Sequence, residues 1–463
     1  MIPFDSQLLA GTVSTAAMRA VWSEPNLIRT WMDVERALTE SQAELGMIPG
    51  EAAAEILAHL NPERIPVALI KDHAARSGHL MVAFLRVFRE ICGPAAEHFH
   101  LGATTQDILD TGLTLQLRDA SALLAAACRR LVSALCLRAA EYKHTPMMGR
   151  THEQHALPYT FGFLLAGWAS EIHDHLERAQ QAEKRWLFGG FSGGVGTHNA
   201  FVELSSVATA RLLEQMACAR LGLPAPLADL HTRFDRFAEI VLQLALLLST
   251  LGRIGLQLRT MERPEVGEIE HDYPPEACSS STMPNKRNPE PLERVDGLAR
   301  LAAGHASAML AVRMSDHRDS SRIPVLYTTL PQTFAMAHCA LETVTVAVET
   351  LRARPDRMLA NLHHPETLGQ VSCERIMIAI YRKTGRKQEA HSILSQCAHE
   401  SRKSRRTLRE VLLDRGDLSG LFSAEEWDAL FRLTDYVGTA AAQVDAILDR
   451  VSSEADAMAK RIL

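Results

Sequence analysis

The chain has 463 residues, 47% apolar and 22% charged, and its 49 Lys and Arg against 55 Asp and Glu leave a formal charge of -6. That is enough for two or three domains, with the composition of an ordinary soluble globular protein. Mild acidity without a basic stripe excludes nucleic acid as the main partner, so a positive field for an anionic substrate must be built locally in a pocket.

Before about residue 111 the sequence reads as short helices separated by turn signals. One spans Asn26 to Leu45 and stops at Gly46, with Pro49 just beyond. Five long helices follow, at roughly 112–142, 160–187, 234–262, 289–314 and 329–353, where apolar residues recur at spacings of three and four. The third is apolar nearly all round, so it must be buried within the fold or by other subunits. After about 355 the polar stretch RPDRMLANLHHPETLG leads into a second group of shorter helices. The expectation is an all-α chain in three regions: an N-terminal helical domain over 1–111, a central long-helix bundle over 112–356 and a C-terminal helical domain over 357–463. A homo-oligomer would cover the remaining apolar faces.

None of the eight cysteines forms a CxxC pair, and most lie in apolar helical stretches, as free thiols in a reducing compartment do. The opening MIPFDSQLLAGTVS lacks a basic stretch followed by an apolar core, and no uninterrupted apolar run approaches bilayer length. A cytoplasmic protein with no membrane partner is expected.

The segment from Cys278 to Glu293, CSSSTMPNKRNPEPLE, carries the strongest chemical signal. It begins as a small-residue loop rich in hydroxyls, and Pro289 sits where a helix starts. Lys286 and Asn288 therefore lie just ahead of a helix N-terminus. A point charge, a donor amide and the positive end of the macrodipole together suit a carboxylate. A solvated Ser-rich linker leading into a capped helix fits the same residue types.

This run resembles the fumarase/aspartase superfamily signature GSSxMPxKxNPxxxE at Ser280, Ser281, Met283, Pro284, Lys286, Asn288, Pro289 and Glu293, with Ser279 in place of the glycine. His100–Thr111, HLGATTQDILDT, is similar to that superfamily's HxGxTSxDxxDT element, and Gly149–Gln154, GRTHEQ, to its GRTHxQ element. The resemblance covers nearly the whole chain. It implies β-elimination next to a carboxylate, in which stabilising a developing dianion is the main task. It implies Ser280 as the base on a loop that closes over substrate, with Ser281 as near neighbour, and His152 as the acid oriented by Glu293. Thr104, Thr105, Gln106, Gln154, Lys286 and Asn288 are the candidates for holding carboxylates. His79 matches a pocket histidine of adenylosuccinate lyases, although Leu80 replaces the aspartate that follows it there. His155, His231 and His271 read as structural or surface residues. No cofactor and no metal are called for: the histidines have no zinc-type spacing with cysteines, and the glycine-rich run 189–197 has no P-loop ending.

The stretches ALPYTFG after the histidine motif and GATTQD point to the adenylosuccinate lyase and 3-carboxy-cis,cis-muconate cycloisomerase branch. Adenylosuccinate lyases carry an Arg-Tyr pair near the N-terminus that helps bind the nucleotide; Thr12 and Val13 stand there, while Asp316–Arg322 keeps an echo of a second anion site. The implied activity is a carbon–nitrogen lyase that releases fumarate from a small substituted succinate, of the N-substituted aspartate or nitrosuccinate type. The alternatives are a carboxymuconate cycloisomerase, to whose WHTxRDR stretch the run from Leu230 to Arg236 is similar with Phe234 for an arginine, an adenylosuccinate lyase, and an inactive structural paralogue. The resemblance further implies a homotetramer whose active sites are shared between chains.

Overall fold

The structure, a computed structural model, describes residues 3–228, 231, 233–272, 280–312, 316–418 and 420–462, with side chains through 453. Cys278 and Ser279 of the Ser-rich run, and Leu230 and Thr232, lie outside the described residues. Helix dominates, and the fold is all-α as the periodicity requires. Helix α1 (Glu24–Glu44) starts at Ser23, whose hydroxyl accepts the Asn26 N–H, and ends before Gly46, whose φ of +67° continues no helix.

The five long helices are α2 (Thr105–Glu141), α3 (Phe161–Trp186), α4 (Asp235–Glu262), α5 (Glu290–Ala311) and α6 (Arg322–Glu349). Two begin seven residues earlier than the periodicity predicts. In α2 the expected start, Gly112, lies inside the helix because its missing side chain admits Trp31; a Cβ there would come within 3.0 Å of the indole. In α6 Pro331 sits inside the helix, which continues although the ring forfeits one backbone hydrogen bond. By length and composition alone, α2 and α4 each contain a stretch apolar enough to cross a membrane, although arginines interrupt both. Most of that stretch in α4, 61%, is buried in the fold, as in the core helix of a bundle.

The described residues group into two compact units, and the division falls inside each of the five long helices. One unit comprises 1–128, 175–252 and 294–342, the other 129–174, 253–293 and 343–463. The core of the first is aromatic, with Trp31, Phe84, Phe88, Phe99, Phe191 and Phe201 buried together and Phe88 stacked on Phe99 at 3.9 Å. The second holds a separate core of Ile376, Leu394, Leu408 and Trp427 beneath its C-terminal helices.

Two short ribbons depart from the helical expectation. β1 (Pro146–Thr151) pairs antiparallel with β2 (Gln154–Thr160), and β3 (Ile269–His271) with β4 (Leu351–Ala353). Met148 of β1 packs with Leu362, Val371 and Leu433, so the first hairpin is seated on the C-terminal part of its own unit.

Candidate active site

The candidate residues fall into two groups, one in each unit. In the second unit His152 occupies the tip of the β1–β2 hairpin. Thr151 pairs with Gln154, which leaves His152 and Glu153 as a two-residue turn with φ of 50° and 62°. A type I′ turn needs both central residues left-handed and normally takes Asn-Gly. Two side chains with a Cβ hold that conformation at a cost of about 1–2 kcal/mol each. The imidazole is exposed and makes no hydrogen bond or ion pair among the described residues.

The base of the hairpin is held rigidly. Arg150 grips the fully buried Glu268 with both ends of its guanidinium, at 2.8 and 3.1 Å, and Asn361 donates to the same carboxylate at 2.8 Å. Gly149 forms the bulge between Met148 and Arg150; a Cβ there would lie 2.5 Å from the Leu157 carbonyl oxygen. The arginine of the GRTHxQ element thus orients the strand that presents the histidine. Glu268 has no motif around it in sequence and was not anticipated.

Ser280 lies half-buried ahead of α5, and its Oγ accepts the Met283 N–H at 3.0 Å. A hydrogen bond donated to that oxygen favours its ionised form. Lys286 closes the next turn through its N–H to the Met283 carbonyl, and Asn288 and Pro289 lead into α5, where the Glu293 N–H bonds the Pro289 carbonyl at 3.1 Å. Ser281 and Lys286 are exposed. The Glu293 carboxylate lies 3.6 Å from Arg259 and makes no bond to His152 within the chain.

In the first unit Thr104 precedes α2 and its N–H donates to Asp107 at 2.8 Å, which ties the start of the helix to its first turn. Asp107 also accepts the N–H groups of Ser192 and Gly193. His231, 3% exposed, stands between two carboxylates: Nε2 lies 3.1 Å from Asp107 and Nδ1 3.2 Å from Asp110. Burial works against the charged ring, but hydrogen bonds to Asp107 and Asp110 outweigh it and raise its pKa to about 9. Burial also pushes Asp110 up, yet His231, Arg322 and Arg236 hold its carboxyl below the usual range. Arg322 donates to Gln106 at 2.9 Å and to Asp110 at 3.0 Å. Thr104, Gln106, His231, Arg318 and Arg322 line a cavity of about 180 Å³.

The structure therefore brings Thr104 and Gln106 together with two arginines, with Thr105 as the first residue of α2 beside them. His79 and Gln154 are not among the residues that line that cavity. His79 is exposed and caps the helix Leu80–Cys92 by accepting the Val82 N–H. Gln154 lines a larger cavity of about 1220 Å³ beneath the hairpin, together with Glu153, His155, His364 and Arg402, and neither His152 nor Ser280 is among its lining residues. The functional reading of the sequence passed over His231. Two acids three residues apart on a mostly apolar helix were the available signal, because such a pair needs a buried cation.

The profile of the family described as Lyase matches residues 10–304, and that of the adenylosuccinate lyase C-terminus matches 369–447. The first spans well over half of the chain. The chain belongs to the fumarase/aspartase superfamily, in its adenylosuccinate lyase and carboxymuconate cycloisomerase branch. Within that superfamily it is 34% identical over 444 residues to an adenylosuccinate lyase of Methanocaldococcus jannaschii, covering 95% of each chain. It is 33% identical over 448 residues to an N-acetyl-S-(2-succino)cysteine lyase of Dickeya dadantii, covering 96% of each. The solved 3-carboxy-cis,cis-muconate lactonizing enzyme of Pseudomonas putida superposes with a TM-score of 0.87 at 30% identity, over 97% of this chain and 99% of that one. The chain is thus an enzyme of the lyase family, consistent with elimination that gives fumarate. The superfamily acts on small dicarboxylates.

Proposed function

We propose that the chain eliminates a nitrogen leaving group from a small substituted succinate, of the N-substituted aspartate or nitrosuccinate type, and releases fumarate. Ser280, ionised next to Lys286 and the start of α5, takes the proton from the carbon beside one carboxylate. The resulting dianion is held by Lys286, Asn288 and the Thr104–Gln106 segment. The C–N bond then breaks as His152 gives its proton to the departing nitrogen, with Glu293 orienting the ring. Ser281 and Gln154 complete the pocket and His79 stands at its edge. The three segments come from three chains of a homotetramer.

The observation that carries this reading is the turn at His152. An exposed imidazole held in a strained left-handed turn by a buried anchor, and unbonded among the described residues, is suited to act on a ligand held by another chain. Thr12 and Val13 at the nucleotide-binding positions favour a substrate smaller than adenylosuccinate. A thioether of succinate is the second reading, because a relative 33% identical over nearly the full length is named for one.

An ultraviolet assay for fumarate over aspartate, N-substituted aspartates, nitrosuccinate, S-succinocysteines and adenylosuccinate tests it, with carboxymuconate in parallel. Fumarate from one small nitrogen-bearing substrate, and loss of at least about 10³-fold in kcat in Ser280→Ala, are the expected results. Consumption of carboxymuconate without any fumarate would replace the lyase reading by the cycloisomerase.

A further inference from the structure

We propose that His231 is a positioning residue: as an imidazolium bridging Asp107 and Asp110 it locks the Thr104–Gln106 segment and Arg322 in the arrangement that receives a substrate carboxylate. The proposal rests on the reading of Thr104–Gln106 as a carboxylate-binding segment.

Geometry requires the charged ring. Each nitrogen faces a carboxylate oxygen, at 3.1 and 3.2 Å, and ionised carboxylates only accept hydrogen bonds, so both nitrogens must donate. A neutral ring would turn a lone pair toward one of two oxygens on residues at most 5% exposed. Asp107 is the element at risk. Besides His231 it gathers the N–H groups of Thr104, Ser192 and Gly193, so its carboxylate joins the start of α2 to the glycine turn. Asp110 carries the other half, since Arg322 spans from it to Gln106. The clamp thereby places the backbone of Thr104 and the side chains of Gln106 and Arg322 around one cavity, which His231 also lines.

Several charged groups among the described residues face the clamp. Arg322 and the fully buried Arg236 oppose Asp110, while Arg318 and Asp319 line the cavity. His100, whose pKa Glu35 raises against the opposing effect of burial, also faces Asp107. Burial pushes the Cys218 thiol near Asp107 and the Tyr327 phenol near Asp110 far up, so neither adds charge in the neutral range. Of this set, His231 is the group that bridges the two carboxylates. Its pKa is raised to about 9, so the clamp is intact below that pH and opens as pH rises through it.

Fumarate, a dianion throughout, is the probe. Calorimetric titration of the wild-type protein between about pH 7.5 and pH 10 should show Kd weakening about tenfold by one pH unit above the midpoint, as the competent fraction falls to a tenth. His231→Gln should bind at least tenfold more weakly at pH 7.5 and lose that alkaline limb. His231→Lys, which keeps a cation between the two acids, should regain most of the affinity and move the limb upward. A wild-type Kd and an unchanged limb in His231→Gln would overturn the proposal. If that variant does not fold, a Kd that stays flat to pH 10 in the wild type overturns it. If wild type binds no fumarate at any pH, the reaction reading falls instead, and the clamp is judged by hydrogen exchange over residues 102–107 and 190–194. His231→Gln should quicken exchange there; unchanged exchange overturns the clamp.

Discussion

The two histidines at the candidate sites are built in opposite ways. His231 is buried, its nitrogens facing two carboxylates, in a network where each charge has a counter-charge. His152 is exposed at the tip of a hairpin, and every strong interaction nearby belongs to the base of that hairpin, not to the ring. A group that must exchange protons with a ligand cannot be locked by its own chain, whereas a group that shapes a binding segment must be. The comparison sets the chemical role proposed for His152 against the positional one proposed for His231 within one polypeptide.

The largest effect expected from breaking this contrast is at the hairpin tip. His152→Gln should lower kcat by about 10²–10⁴-fold, the usual contribution of a positioned acid, with Tm unchanged because the ring supports nothing in the fold. A Tm loss of several degrees would make His152 a structural residue like His231. Next comes the anchor. Arg150→Met leaves Glu268 buried beside Asn361 without its cation and should cost about 3 kcal/mol in chemical denaturation. It should also reduce kcat although Arg150 touches no substrate; full activity would show that the hairpin needs no anchor. The smallest effect sharpens the comparison from the other side. Glu153→Gly relieves one left-handed side chain and should stabilise the protein by about 1 kcal/mol. No gain would mean that the turn is not strained.

Much of this architecture is written locally in the sequence. The apolar spacing of α3, α4 and α5 gave their bounds within a few residues, and Gly46 marked the end of α1, whose start at Glu24 after the Ser23 cap lies two residues before the Asn26 read from the sequence. The motif at 280–293 likewise announced a helix start, since Pro289 and the residues around it act within one turn. The hairpin was not legible. MMGRTHEQHALPYT lacks strict alternation and carries His-Glu where a tight turn favours Asn-Gly, so only packing of Met148 on Leu362, Val371 and Leu433 and the clasp of Arg150 on Glu268 decide it.

The sequence by itself thus determined the helices, the residue types of the candidate chemistry and the family, because those depend on neighbours one to four positions away or on short motifs. Tertiary structure decided what each charged group does. Glu268 lies 118 residues from Arg150, and His231 lies 124 and 121 from Asp107 and Asp110. The two carboxylates brought together at those distances hold His231 charged near neutral pH against its burial, and the fold leaves His152 of the GRTHxQ element exposed.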